Sequence, residues 1–148
     1  MKRFILDTNI LLDIFVFEDI KAQDLKQVII DRRIEVISSQ QTMAEFADVI
    51  SRPIFALSLH QQKEIQKQWE LLSQFYDDSN LTSAPWNCAD VDDQIFLNLA
   101  FVLKPTTLIT KDNDLLKIAS RAAKEDVVIT SNYDIFNTQT ENTQENHE

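Results

Sequence analysis

The chain has 148 residues, 44% hydrophobic and 26% charged, the size and composition of one globular domain. Its net charge of −10 counts against broad nonspecific nucleic-acid binding, its single cysteine excludes an internal disulfide or a cysteine-rich zinc site, and its lack of glycine excludes glycine-rich phosphate cradles. No apolar run approaches the ~18 residues of a membrane span, and the basic start Met1-Lys2-Arg3 leads into no signal-peptide core, so a reducing cytoplasm is the expected setting.

Residues 3–6 read as a short buried strand. Thr8 or Asn9 is placed to cap a helix carrying Ile10, Leu11 and Ile14. A second helix is expected over about 21–32, with Leu25, Val28 and Ile29 as its apolar side, and Glu35-Val36-Ile37 reads as the next strand. Ser38 or Ser39 then caps a helix to about Ile50, whose stripe is Met43, Phe46, Ala47 and Ile50; Arg52-Pro53 ends it. Ile65, Trp69, Leu72 and Tyr76 align on a helix over about 61–77.

Residues 78–92 are polar and turn-rich, with a short strand expected near 81–84. A helix over about 92–103 buries Ile95, Phe96, Leu99, Ala100 and Leu103, and Pro105 stops it. Thr107-Leu108-Ile109 is a strand, Asp112 or Asn113 caps a helix through about Ala123, and Val127-Val128-Ile129 is the last strand. The stretch 137–148 holds Glu141, Glu145 and Glu148 with no Lys or Arg, and reads as an acidic disordered tail behind a domain of residues 1–136. Strands alternating with helices predict an α/β fold with a parallel sheet covered on both faces.

Acids recur at the corners of this pattern. Asp7-Thr8-Asn9 follows the first strand, where open α/β sheets place their ligand crevice. Glu45, the cluster Asp90/Asp92/Asp93 and the pair Asp112/Asp114 follow. Each has a plain structural explanation: Asp7, the 90–93 acids and Asp112 sit where helix caps belong, and the stripe of its helix points Glu45 elsewhere. Together they suggest more, because three of the four groups fall at strand–helix junctions on one side of the sheet. Carboxylates without a usable histidine or cysteine suit a hard cation such as Mg²⁺ rather than zinc. Such an ion supports hydrolysis of a phosphodiester. Trp69 and Tyr76 are expected in the core, Cys88 to be inert, and Ser39 to cap rather than attack. Lys2, Arg3, Arg32, Arg33 and Lys111 are candidates to touch phosphate, although a helix dipole explains Arg32-Arg33 equally.

The ordered set resembles the PIN-domain nucleases, which include VapC-type toxins of toxin–antitoxin pairs. The resemblance rests on Ile5-Leu6-Asp7-Thr8-Asn9; on Ser39 through Glu45 with Arg52-Pro53; on Asp90 through Phe96; and on Leu108 through Leu116. It spans about residues 4 to 130. It implies a three-layer α/β/α sandwich with a central parallel sheet of four or five strands, and Mg²⁺- or Mn²⁺-dependent endoribonuclease activity. Asp7, Glu45, Asp93 and Asp112 match the family's acidic positions, with Asp7, Asp93 and Asp112 as metal ligands. Thr8, Asn9 and Thr110 match supporting positions, and Asp92 and Asp114 are adjacent alternatives to Asp93 and Asp112. Val91 and Gln94 depart from the subgroup, which often has proline and a further aspartate there, and the glycine usual before the fourth strand is missing.

The resulting expectation is a cytoplasmic ribonuclease, the toxin of a toxin–antitoxin pair, with RNA as substrate, an antitoxin protein as partner, a homodimer as a candidate assembly and no membrane association. The alternative is a non-catalytic PIN-like module that binds RNA or protein. A receiver or phosphatase domain fits less well, because Asp7-Thr8-Asn9 lacks the second aspartate of an Asp-x-Asp motif.

Overall fold

The apolar triplet Phe4-Ile5-Leu6 forms the centre of the molecule, inside strand β1 (Arg3–Leu6). A computed structural model describes residues 1–136; the stretch 137–148, and with it the expected tail, lies outside the described residues. The remaining strands are β2 (Glu35–Ser39), β3 (Gln74–Tyr76), β4 (Thr106–Ile109) and β5 (Val127–Thr130). They make a five-stranded sheet in the order β3-β2-β1-β4-β5, with every neighbouring pair parallel.

Period-two alternation divides the strands between two cores. Phe4, Leu6, Val36 and Ile109 face one, with α1 (Thr8–Phe15), α2 (Gln23–Ile30), α3 (Gln40–Ile50) and α4 (Leu59–Leu72). Ile5, Ile37, Leu108, Val127 and Ile129 face the other, with α5 (Gln94–Val102), α6 (Asn113–Leu116) and α7 (Ala119–Ala123). The chain is therefore a three-layer α/β/α sandwich with an all-parallel central sheet.

Four local expectations are corrected. The cap of α1 is not Thr8 or Asn9 but Asp7, the cap that the plain reading of this acid offered; its carboxylate accepts the Thr8 N–H. The helix expected over 61–77 ends at Leu72. Ser73 turns extended, its hydroxyl donates to the Trp69 carbonyl at 2.7 Å, and residues 74–76 add a strand beside β2. Trp69 and Tyr76 thus lie in different cores, and the helical stripe joined residues on opposite sides of the sheet. No strand forms at 81–84: the Ala84 N–H donates to the Asn98 side chain at 2.8 Å instead of entering a ladder. The helix expected from Asn113 to Ala123 divides into α6 and α7, because the Ile118 N–H turns back to the nearer Leu115 carbonyl.

With no glycine available, Glu18, Arg32, Ala56 and Asp126 occupy left-handed backbone positions at φ of 48°, 58°, 52° and 59°. Arg32 gains from its position, since its guanidinium donates to the Leu71 and Leu72 carbonyls at 2.8 and 3.0 Å and closes the end of α4. The helix-end explanation for this arginine holds, although the helix it closes is not its own.

Candidate active site

The parallel sheet directs the ends of β1 and β4 to one edge of the molecule, and α1, α3 and α5 begin near it. Asp7 follows β1 directly. Its N–H donates to the Ile109 carbonyl at 3.0 Å, extending the ladder by one residue and holding the carboxylate at the strand end. That carboxylate is only 4% exposed. Its Oδ1 accepts the Thr8 N–H at 2.6 Å, and its Oδ2 accepts the Thr110 hydroxyl at 2.6 Å and the Asn9 amide at 3.3 Å. Burial raises the Asp7 pKa; the bonds from Thr110, Thr8 and Asn9 oppose that shift, and the charge of Asp112 adds to it.

Glu45 comes from the second turn of α3. Ser39 caps that helix, accepting the Thr42 N–H, while its own N–H donates to the Thr42 hydroxyl at 2.9 Å. It is a cap, as its sequence position suggested. The Thr8 hydroxyl donates to Glu45 Oε2 at 2.7 Å and ties α3 to the start of α1. Burial raises the Glu45 pKa, with the charges of Asp7, Asp92 and Asp90 reinforcing it.

Asp93 ends the 3-10 turn Val91–Asp93, which Asp90 caps, and is 8% exposed. Burial, a hydrogen bond with Asp112 and the charges of Asp7, Asp112 and Asp90 push its pKa up to about 8. Asp7, Glu45 and Asp93 each present an oxygen within 4.8 Å of the other two. Side chains separated by 38 and 48 positions in the sequence thus converge on one small volume.

Asp112 stands beside this trio. It caps α6, its N–H donates to the Thr110 hydroxyl at 2.9 Å, and its carboxylate bonds Asp93. The adjacent alternatives are less buried than Asp93. Asp92 is exposed and its N–H donates to Asp90, while its charge still reaches Glu45; Asp114 pairs with Lys117 at 3.8 Å. Asn9 accepts the Lys111 N–H at 3.4 Å while bonding Asp7, so Thr8, Asn9 and Thr110 all reach acids of the site through hydrogen bonds.

Sequence reasoning missed a second polar network beside the site. The buried Asp13 carboxylate takes the Lys111 ammonium in a short contact and the Tyr133 hydroxyl at 3.2 Å. It ties α1 to the loop after β4 and to the segment after β5, and holds the Tyr133 pKa above its ordinary value through burial and the Asp13 charge. The signal was present: Asp13 interrupts the apolar run of α1 between Leu12 and Ile14, and a carboxylate in that position needs a partner. Lys111, a candidate for phosphate contact, carries its charge against Asp13.

An all-oxygen donor set at this spacing could hold a hard divalent cation. The upward shifts of Asp7, Glu45 and Asp93 have the direction expected of a crowded anionic site that a cation would relieve. The same arrangement fixes Glu45 by a hydroxyl beside two further acids.

Two comparisons bear on this geometry. A family model described as PIN domain matches residues 3–114, a span that includes all four principal acids. No curated protein matches the chain.

Proposed function

Because this chain belongs to the PIN-domain family, whose members are generally nucleases, we propose that it is a metal-dependent endoribonuclease. The convergence of Asp7, Glu45 and Asp93 carries the reading. Asp7 and Asp93 would hold the principal cation, Mg²⁺ or Mn²⁺, with Asp112 supporting it or a second ion. When bound, the cation polarises the phosphate and lowers the pKa of water.

The chain's own residues do the rest. Thr8 fixes Glu45, which orients the attacking water and accepts its proton; burial raises its pKa above the ordinary carboxylate value, in the direction that makes it a stronger base. Thr110 and Asn9 hold the Asp7 carboxylate in one orientation. Water attacks phosphorus in line, the P–O3′ bond breaks, and the strands leave with a 5′-phosphate and a 3′-hydroxyl. Asp93, pushed up to about 8 in the free protein, carries a proton near neutrality that a bound cation would displace.

The biological role proposed is that of a toxin, acting on RNA in the cytoplasm as a homodimer and restrained by an antitoxin protein. The resemblance to VapC-type toxins supports it, and the net charge of −10 suits a protein partner better than nonspecific RNA binding. A small DNA-binding protein encoded beside this reading frame is the expected genomic companion.

Asp7→Asn keeps the shape of the side chain and removes its charge. Mg²⁺-dependent cleavage of a labelled single-stranded RNA is expected to be abolished, with the circular dichroism spectrum unchanged. Full activity in that variant would refute the assignment. A wild-type protein with no Mn²⁺ site in titration calorimetry would point instead to the non-catalytic binding module.

A further inference from the structure

Beyond the acid site, the sheet carries a second feature on the face it turns toward α2. Along β1, β4 and β5, beside Val28 of α2 and the segment Ile135-Phe136, runs an open groove of about 1130 Å³. Its walls include Phe4, Val28, Ile34, Val128, Ile135 and Phe136. Val128 and Ile135 are 53% and 51% exposed, although a parallel sheet ordinarily has both faces covered.

The charges around the groove reverse the character of the chain. Its charged lining residues, among those described, are Lys2, Arg3, Arg33 and Asp126, three bases against one acid in a protein of net charge −10. None of the three bases forms a salt bridge within the described residues. Lys2 and Arg3 stand at the start of β1, and Arg33 precedes β2, whereas the catalytic acids lie at the far ends of β1 and β4.

We infer that this groove docks an acidic amphipathic segment of a partner protein. Its apolar side chains cover Val128, Ile135 and Ile34, and its carboxylates meet Lys2, Arg3 and Arg33. Both features are required for the choice of partner. An apolar strip between like charges is the pattern of a protein-recognition groove, where burial supplies affinity and the rim charges select the partner. An RNA backbone would satisfy the bases and leave the apolar floor wet. Residues 137–148 contain no apolar side chain and so cannot supply the apolar half of the match. The inference is independent of the nuclease reading, because none of the site's acids lines the groove; Ile109 alone is named in both, lining the groove while its carbonyl accepts the Asp7 N–H.

The test uses the full chain. A displayed library of random 18-residue peptides is panned against it, and enriched peptides are titrated into ¹⁵N-labelled protein. Expected are peptides rich in Glu and Asp among Leu, Ile and Phe, shifting the amides of Arg33, Val128 and Ile135. Val128→Glu and Arg33→Glu should each weaken binding at least tenfold, whereas Asp7→Asn, which silences the acid site, should bind as wild type. Enrichment of basic peptides, of peptides that map elsewhere or of none would overturn the inference. So would a twelve-nucleotide oligouridylate that shifts the same amides and displaces the peptide.

Discussion

Burial and neighbouring carboxylates push Asp93 up to about 8 from an ordinary 3.8, and that single residue couples protonation to stability. Between those values the folded protein keeps a proton that the unfolded chain has lost. Stability from this site is therefore complete below pH ~4 and is lost as pH rises through about 8. Asp7 and Glu45 are raised as well, and act in the same direction. In chelator, the melting temperature should fall as pH rises from about 5 to about 9, and Mg²⁺ should oppose the fall at the alkaline end. Asp93→Asn should flatten the pH slope without metal; equal slopes in the two proteins would show that Asp93 does not carry the proton. Asp7 was readable in the sequence as a candidate because it directly follows a buried strand, where a ligand crevice is expected, although a helix cap explains an acid there as well. Glu45 was not aimed by its own helix, since the stripe Met43-Phe46-Ile50 points another way, and it is the bond from Thr8 that brings it in.

At the scale of elements, the absence of glycine leaves a mark at helix ends and turns. Ala56 closes the 3-10 turn Pro53–Phe55 in the left-handed region, at φ 52° and ψ 37°, where an L-residue crowds its Cβ against the backbone. Its side chain is exposed and forms no part of either core. Ala56→Gly should therefore stabilise the protein by about 0.5–1 kcal/mol, read from the urea midpoint at constant slope. A loss of stability would show that the Ala56 methyl group packs usefully. Element boundaries were legible where a cap or a proline declared them, as at Ser39, Pro53 and Asp112. They were misread where the sheet competed with the helix. Residues 74–76 have a helical pattern, but the open edge of β2 offers three residues of ladder, and those backbone bonds decide the matter.

For the whole molecule, the net charge of −10 governs how the proposed substrate arrives. Lys111 is held by Asp13, and Lys2, Arg3 and Arg33 lie at the other end of the sheet, so few free bases surround the acids. RNA should then be engaged through the cation-loaded site and few phosphate contacts. Between about 50 and 200 mM KCl, at saturating Mg²⁺, kcat/KM on RNA should change by less than roughly tenfold. A surface making six to ten phosphate contacts would lose on the order of 10³-fold or more over the same range. A steep loss would reveal a basic RNA track outside the acid site.

The linear order of residues determined the fold class, because period-two apolar triplets separated by helical stripes have few stable solutions other than a parallel sheet between two helical layers. It also placed Asp7 and Asp112 at strand–helix corners, where the chain must turn and a carboxylate can serve both as cap and as ligand. Only the tertiary structure decided which acids meet. Burial separates Asp93 from the exposed Asp92, and a partner on its own helix takes Asp114. The Asp13–Lys111–Tyr133 network and the basic apolar groove likewise join residues from opposite ends of the chain. The physical reason is common to them all: helix and strand periods assign a side chain to a face, whereas contact between faces depends on how the layers pack.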